Sequence, residues 1–194
     1  MLAQNVGRPL FNGHDLDGWK HVGPGSFLVK DRMLKTEGGM GLLWYTREKI
    51  QKSVIRVVFK LKTKVSDSGV FIRIPEMPTE PWMPVNRGYE VEMGDWPDDY
   101  SCTGVLYSFT KAMSHPIKPA GEWNTLEITV DGPHTVVYLN DIRVTDFHEG
   151  DPVPPRKESY DPERGPRQES GYTGLQNERG SEVYFKEVSV RPLK

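Results

Sequence analysis

The sequence predicts an all-β protein, an antiparallel β-sandwich of jelly-roll type related to the concanavalin-like folds. Three observations predict it. Apolar and polar residues alternate with a period of two in many short runs, the pattern of half-buried strands. Nineteen glycines and sixteen prolines in 194 residues supply many turns between those runs. No helical pattern lasts longer than two turns. The length suits one domain, residues 1–194, with a full-size core.

The elements follow in order. Phe11 and Trp19 anchor an opening stretch punctuated by Asn12-Gly13 and Asp17-Gly18. SFLVK and RMLKTE make two short strands around Asp31-Arg32, and GLLWY makes another, with one helical turn expected over Thr46–Ile50. In Ser53–Lys64, Ile55, Val57, Phe59 and Leu61 alternate with Arg56, Val58, Lys60 and Lys62. Ser66–Gly69 reads as a turn. Val70, Ile72 and Ile74 then share one face, with Phe71 and Arg73 on the other. A Pro-rich loop holds Trp82, and strands are expected over Gly88–Met93 and Thr103–Ser108. Residues 123–147 read as a three-stranded meander turning at Asp131-Gly132 and Asn140-Asp141. Glu149–Ser170 has the composition of a long surface loop. In the closing strand the apolar phase switches between Phe185 and Val188, which predicts a bulge near Lys186-Glu187.

Composition excludes several classes. Apolar residues are 36%, charged residues 27% and the net charge is −2, so no global field favours nucleic acid. No run approaches the ~20 apolar residues of a membrane span. MLAQNVGRPL lacks the basic and apolar regions of a signal peptide. The compartment therefore stays open, periplasmic or extracellular if a leader has been removed. The single cysteine, Cys102, can form no internal disulfide and reads as a small core filler.

The stretch Arg87–Tyr107 is the richest in chemistry. Alternation sends Tyr89, Val91 and Met93 to the core and places Glu90 and Glu92 side by side on the opposite face, roughly 6–7 Å apart by strand rise. Asp95, Trp96, Asp98, Asp99 and Tyr100 follow. Aromatic rings cover the C–H faces of sugars and carboxylates accept from hydroxyls, so this mixture suits a carbohydrate. Arg73, Tyr107 and Gln176 alternate onto polar faces and join the candidates; His115 is the histidine best placed to be a base. No metal site is assigned. The acidic loop matches no full calcium-loop motif, though a divalent cation could be shared by Glu90, Glu92 or Asp95.

Several motifs in order resemble one family: LFNGHDLDGW at 10–19, EGGMGLLW at 37–44, DSGVFIR at 67–73, GYEVEM at 88–93, TGVLY at 103–107, KPAGEWNTLEI at 118–128, VYLND at 137–141, GLQNERG at 174–180 and VRPL at 190–193. Together they resemble the 3-keto-disaccharide hydrolase family, long called domain of unknown function 1080. The resemblance implies a jelly roll that hydrolyses, or eliminates across, the glycosidic bond of 3-keto-glycosides. The chain departs from the family at Asp67, where Asn is usual, at Glu92, where Gln is common, and at Asn177–Gly180, where Asp-His-Gly often follows the GLQ motif. A C3 ketone acidifies the C2 proton, so the implied chemistry needs a base, a stabiliser of charge on O3 and an acid for the leaving oxygen. Glu90 or Glu92 would serve as base or acid and Arg73 as stabiliser, with Tyr107, Gln176, Trp96, Asp95 and His115 contacting the sugar. Direct hydrolysis would use the same carboxylates. A non-catalytic carbohydrate-binding module is the alternative reading.

Overall fold

Strand alternation, interrupted at a few bulges, builds the whole molecule. The computed structural model describes residues 7–193; residues 1–6, where a leader was sought, and Lys194 lie outside them. Thirteen strands and one short helix occur among the described residues. They are β1 (Arg8–Pro9), β2 (Trp19–Val22), β3 (Ser26–Lys30), β4 (Met33–Glu37), β5 (Gly41–Tyr45), β6 (Ser53–Leu61), β7 (Asp67–Ile74), α1 (Met83–Arg87), β8 (Tyr89–Gly94), β9 (Asn124–Asp131), β10 (His134–Leu139), β11 (Ile142–His148), β12 (Tyr172–Asn177) and β13 (Val183–Pro192).

One sheet runs β11-β10-β9-β6-β13-β4-β3, with β1 added on β13; the other runs β2-β5-β12-β7-β8. Every pairing is antiparallel. Between the sheets lie Ile55, Val57 and Phe59 of β6, Val70 and Ile72 of β7, and Tyr89, Val91 and Met93 of β8. Each such aliphatic or aromatic side chain contributes about 1.5–3 kcal/mol relative to exposure. This is the expected jelly-roll sandwich. No helix among the described residues is long and apolar enough to cross a membrane.

A second, smaller apolar cluster covers the outer face of the five-stranded sheet. Leu42 and Trp44 of β5, Phe71 and Ile74 of β7 and Val85 of α1 form it. This is why all five residues of β5 are buried: both of its faces are covered. The α1 turn, started by Pro84 early in the helix, closes one end of that outer face.

The predicted bulge is present, as β13 shifts register against β6 between Phe185 and Glu187. The meander also forms, with Asn140 and Asp141 at positive φ in its second turn. Three expectations are corrected. Thr46–Ile50 makes no helical turn; Ile50 instead bridges to Gly171. Thr103–Ser108 is not a strand. It follows β8 through separate hydrogen bonds, Gly104 N–H to Glu92 O at 2.9 Å and Tyr107 N–H to Glu90 O at 2.9 Å. Positive φ at Gly104 and Ser108 breaks its alternation, so Val105 and Leu106 are both buried. Finally, Asp67 and Ser68 do not turn the chain. The turn falls at Thr63–Ser66, and Asp67 begins β7.

Candidate active site

The pairing of β7 with β8 assembles the site. Register sets Asp67 opposite Gly94, Gly69 opposite Glu92 and Phe71 opposite Glu90. Because Val70 and Ile72 face the sandwich core, Asp67, Gly69 and Phe71 face outward with Glu90 and Glu92. Gly69 is required there by space rather than by backbone conformation. A Cβ at that position would collide with the Glu90 side chain, whose Cγ would lie 2.7 Å away. β12 contributes Gln176 from the other side of β7, and Glu178 just beyond it.

These side chains line a cavity of about 250 Å³. Its rim carries Trp82, 47% exposed, and Tyr160, 59% exposed. Met40 and Val85 add apolar surface, and Tyr107 lines one wall. Four carboxylates thus share one small cavity, and among the described residues no basic side chain lines it.

The electrostatics follow from that imbalance. Glu90 is 8% and Glu92 5% exposed. Burial first, then the neighbouring acids, pushes both carboxyls well above the usual carboxylate range. Burial also raises Asp67 and Glu178. Asp67 and Glu92 are side-chain neighbours across β7 and β8, and the proximity of the two acids adds to the rise at Glu92. The Trp96 indole also faces Asp67 and opposes the rise in its pKa. Glu92 Oε1 accepts from the Met93 N–H at 3.2 Å. Glu90 Oε1 is buried and has no hydrogen-bond partner among the described residues. The cost of such an orphaned acceptor is about 1–3 kcal/mol, and more for a charged group. The Tyr107 hydroxyl donates to Asp161 Oδ1 at 3.3 Å, and burial raises the phenol so that it stays protonated.

Glu90, Glu92 and Gln176 come together as the alternation placed them, and Tyr107 joins them although the stretch that carries it is not a strand. Arg73 does not join them. Backbone φ at Arg73 is 56°, and β7 changes register against β12 between Tyr172 and Gly174. This bulge swaps the faces, so Ile74 packs outside with Phe71 while Arg73 turns inward. Arg73 is 2% exposed. It donates to Gln168 O at 3.0 Å, Gly132 O at 2.8 Å, His134 O at 3.3 Å and Thr135 Oγ1 at 3.0 Å. It therefore ties β7 to β10 across the sandwich and cannot stabilise charge in the cavity.

Asp95 and His115 fall elsewhere, lining a separate cavity of about 380 Å³ with Lys64 and Ile117; Trp96 lines that cavity too, but its indole also reaches Asp67 at the edge of the acidic one. His115 Nε2 pairs with Asp99 Oδ1 at 2.8 Å on the surface. Cys102 is buried there, its thiol pushed up to about 11 by burial. Sequence reasoning missed Asp67, Glu178 and Tyr160. Asp67 was discoverable: extending the alternation of β7 backward by two residues puts it on the face of Phe71. Glu178 and Tyr160 arrive from loops, where no periodicity speaks.

For a metal, the only group of three His, Cys, Asp or Glu ligand atoms within 4.8 Å of one another among the described residues is His134, Asp146 and His148, away from the cavity. The two imidazoles there stack in parallel, with centroids 3.9 Å apart and planes at 9°. Stacked rings aim their lone pairs side by side, not at a common ion.

Fold and cavity together define a jelly-roll sandwich with an acid-lined pocket on the outer face of its smaller sheet. The chain belongs to the family of 3-keto-alpha-glucoside-1,2-lyase-like domains, whose model matches residues 7–191. No curated protein matches it. Among solved structures, a provisionally assigned glycosyl hydrolase from Parabacteroides distasonis is similar over 97% of this chain and 100% of that one, with TM-score 0.78 and 22% identity. The carbohydrate binding module CBM66 from Bacillus subtilis is similar over 90% of this chain and 95% of that one, with TM-score 0.62 and 15% identity. A Bacillus subtilis protein with a galectin-like fold is similar over 96% and 94%, with TM-score 0.66 and 12% identity. At these identities the structures share a fold with this chain.

Proposed function

We propose that this protein cleaves the glycosidic bond of 3-keto-glycosides, with Glu90 as the base. The observation that carries the reading is the buried Glu90 Oε1, unpartnered among the described residues and lining a cavity of ring size. An acceptor left without a donor at a cost to stability is what a group awaiting a substrate proton looks like. Family membership and the sugar-related descriptions of similar structures support a carbohydrate ligand.

The chemistry runs as an elimination. Ionised Glu90 takes the C2 proton, and the C2–H electrons move into the enolate formed with the C3 carbonyl. The enolate then re-forms the carbonyl, makes the C1=C2 double bond and expels the C1 oxygen, which takes the proton back from Glu90. Adding water across C1=C2, hydroxyl to C1 and proton to C2, completes a net hydrolysis. With Arg73 in the core, charge on O3 falls to neutral donors. The Gln176 amide and a protonated Glu92, whose carboxyl burial raises, fill that role. That proton also reduces the local negative charge and lets Glu90 ionise.

The test is incubation with 3-keto-trehalose and a chromogenic 3-keto-glucoside of each anomer, with and without a divalent ion. Cleavage with deuterium entering at C2 in D₂O supports elimination; cleavage without C2 exchange supports direct hydrolysis. No cleavage of any of them overturns the enzymatic reading. Retained sugar binding in that case makes the protein a carbohydrate-binding module, the class to which the similar CBM66 is assigned.

A further inference from the structure

A second cavity of about 270 Å³ adjoins the first, and Tyr107 and Tyr160 line both. We propose that this second cavity is the leaving-group subsite and that it holds a second, uncharged sugar ring. The proposal rests on the reading of the first cavity as the seat of the 3-keto ring.

The wall of the second cavity comes from the 149–170 segment, whose composition suggests only a solvated loop. Three anchors make it a fixed wall. Asp161, 4% exposed, accepts at Oδ2 from the N–H groups of Lys157, at 2.8 Å, and Glu158, at 3.1 Å, while its Oδ1 takes the Tyr107 hydroxyl. Arg164 Nη2 donates to the Ser108 hydroxyl at 2.8 Å and its carbonyl at 3.1 Å. Arg167 Nε donates to Gly88 O at 2.8 Å, directly before β8. An Asp with this many donors is held ionised: burial opposes it, but the backbone N–H groups and Tyr107 keep its carboxyl below the usual range.

The lining has the chemistry of a sugar site. Tyr100, Tyr160, Pro154 and Pro155 offer flat apolar surface for C–H faces. Lys157, with its ammonium 5.4 Å from the Tyr100 ring centre, and the exposed Asp98 offer a donor and an acceptor for hydroxyls. Asp98, Glu158 and Asp161 outnumber Lys157 in the lining, which disfavours an anionic ring, and Asp161 already spends its oxygens on Lys157, Glu158 and Tyr107. Tyr107 lines both cavities as a protonated phenol. A small leaving group such as methoxide would leave the second cavity empty and forgo its contacts. Binding energy from a remote ring is expressed in kcat/KM.

The experiment measures kcat/KM on 3-keto-trehalose and on methyl 3-keto-α-glucoside for wild type, Tyr100→Ala and Lys157→Ala. Tyr100 and Lys157 line only the second cavity. The expected result is a disaccharide-to-methyl-glycoside ratio at least tenfold lower in Tyr100→Ala and several-fold lower in Lys157→Ala, with unchanged melting temperature. An unchanged ratio in folded variants overturns the subsite. If wild type cleaves neither compound, the catalytic reading fails, and the subsite is then read by titrating unoxidised trehalose and glucose by NMR. Trehalose binding tighter than glucose and weakened by Tyr100→Ala sustains it; equal binding, or no binding of either sugar, overturns it.

Discussion

Strand β7 carries a charged residue near each end, Arg73 buried and Asp67 half-buried, and the two are treated in opposite ways. Arg73 is surrounded by acceptors from three segments, and its guanidinium makes four hydrogen bonds. Asp67, with Glu90 and Glu92 beside it, sits among like charges with no cation lining its cavity. A charge buried for architecture is solvated by the protein, as neutral acceptors do for both Nη atoms of Arg73 with Nε alone left over, because an uncompensated one costs several kcal/mol. A buried charge left unpaired is a cost that the fold carries for something else. The contrast separates the structural end of β7 from its chemical end, although both residues belong to one short motif.

The largest expected effect falls at the chemical end. Glu90→Gln should lose turnover of 3-keto-glycosides by about 10²–10⁴-fold, the usual contribution of a general base. Its melting temperature should hold or rise, since a buried like charge is removed. Loss of fold in this variant would make Glu90 structural and erase the contrast. Arg73→Ala should do the reverse. It strands four acceptors and should cost about 3–5 kcal/mol, or roughly 10 °C in thermal denaturation for a chain of this length. Turnover at a temperature where the variant is folded should stay within a few-fold of wild type. A catalytic collapse in folded protein would return Arg73 to the site.

A smaller effect is expected from Gly69→Ala. The new methyl must push the Glu90 side chain aside, and displacement of a catalytic group by about 1 Å costs up to ~10²-fold in rate. Steady-state kinetics on 3-keto-trehalose would measure it, and unaltered kcat would show that the position of Glu90 is not critical.

The last effect is in pH. Glu90, Glu92, Asp67 and Glu178 all have folded pKa values raised above the ordinary range. A raised acid favours folding when protonated, so its stabilisation is complete below about pH 4 and is lost as pH rises through the folded pKa. These groups therefore make thermal stability fall from mildly acidic towards neutral pH, while activity rises as Glu90 ionises. Glu90→Gln with Glu92→Gln should flatten that fall in a series of melting curves. Equal pH slopes in wild type and the double variant would show that the cluster does not titrate with folding. Glu182 acts in the opposite sense, lowered to about 2 by Tyr184 and Lys62, but it lies half-buried at the surface, and its pair with the exposed Lys62 is screened.

Much of the fold was legible because burial writes period two into a strand. Ile55, Val57 and Phe59 could be assigned to the core from their spacing, as could Tyr89, Val91 and Met93, and with the latter three the outward pair Glu90 and Glu92. The bulge at Lys186-Glu187 was legible because it left a phase error in a long apolar run. The bulge at Arg73 left none. Ile74 is apolar on either face, so the swap is silent in sequence and Arg73 was assigned to the wrong side. Asp95 adjoins the glutamates in the chain but lines another cavity, because Gly94 ends β8 and the backbone leaves the sheet, while the Trp96 ring folds back to Asp67. Asp67 and Glu92, read separately in the sequence, prove to be side-chain neighbours. Their pairing across β7 and β8 was not visible until the register was known.

By itself, then, the sequence determined which residues must be buried and on which side of each regular strand they lie, since that depends only on local geometry and the transfer of apolar surface from water. It also carried enough ordered motifs to indicate the family. The tertiary structure alone decided which charges meet. Glu178 joins the acids because β12 lies beside β7. Tyr160 closes two cavities because Asp161, Arg164 and Arg167 pin a loop of little apolar character, and Arg73 is a core residue because a left-handed backbone at one position turns it inward. Each of these is a contact between residues far apart in the chain, set by register and bulge, and no local pattern encodes it.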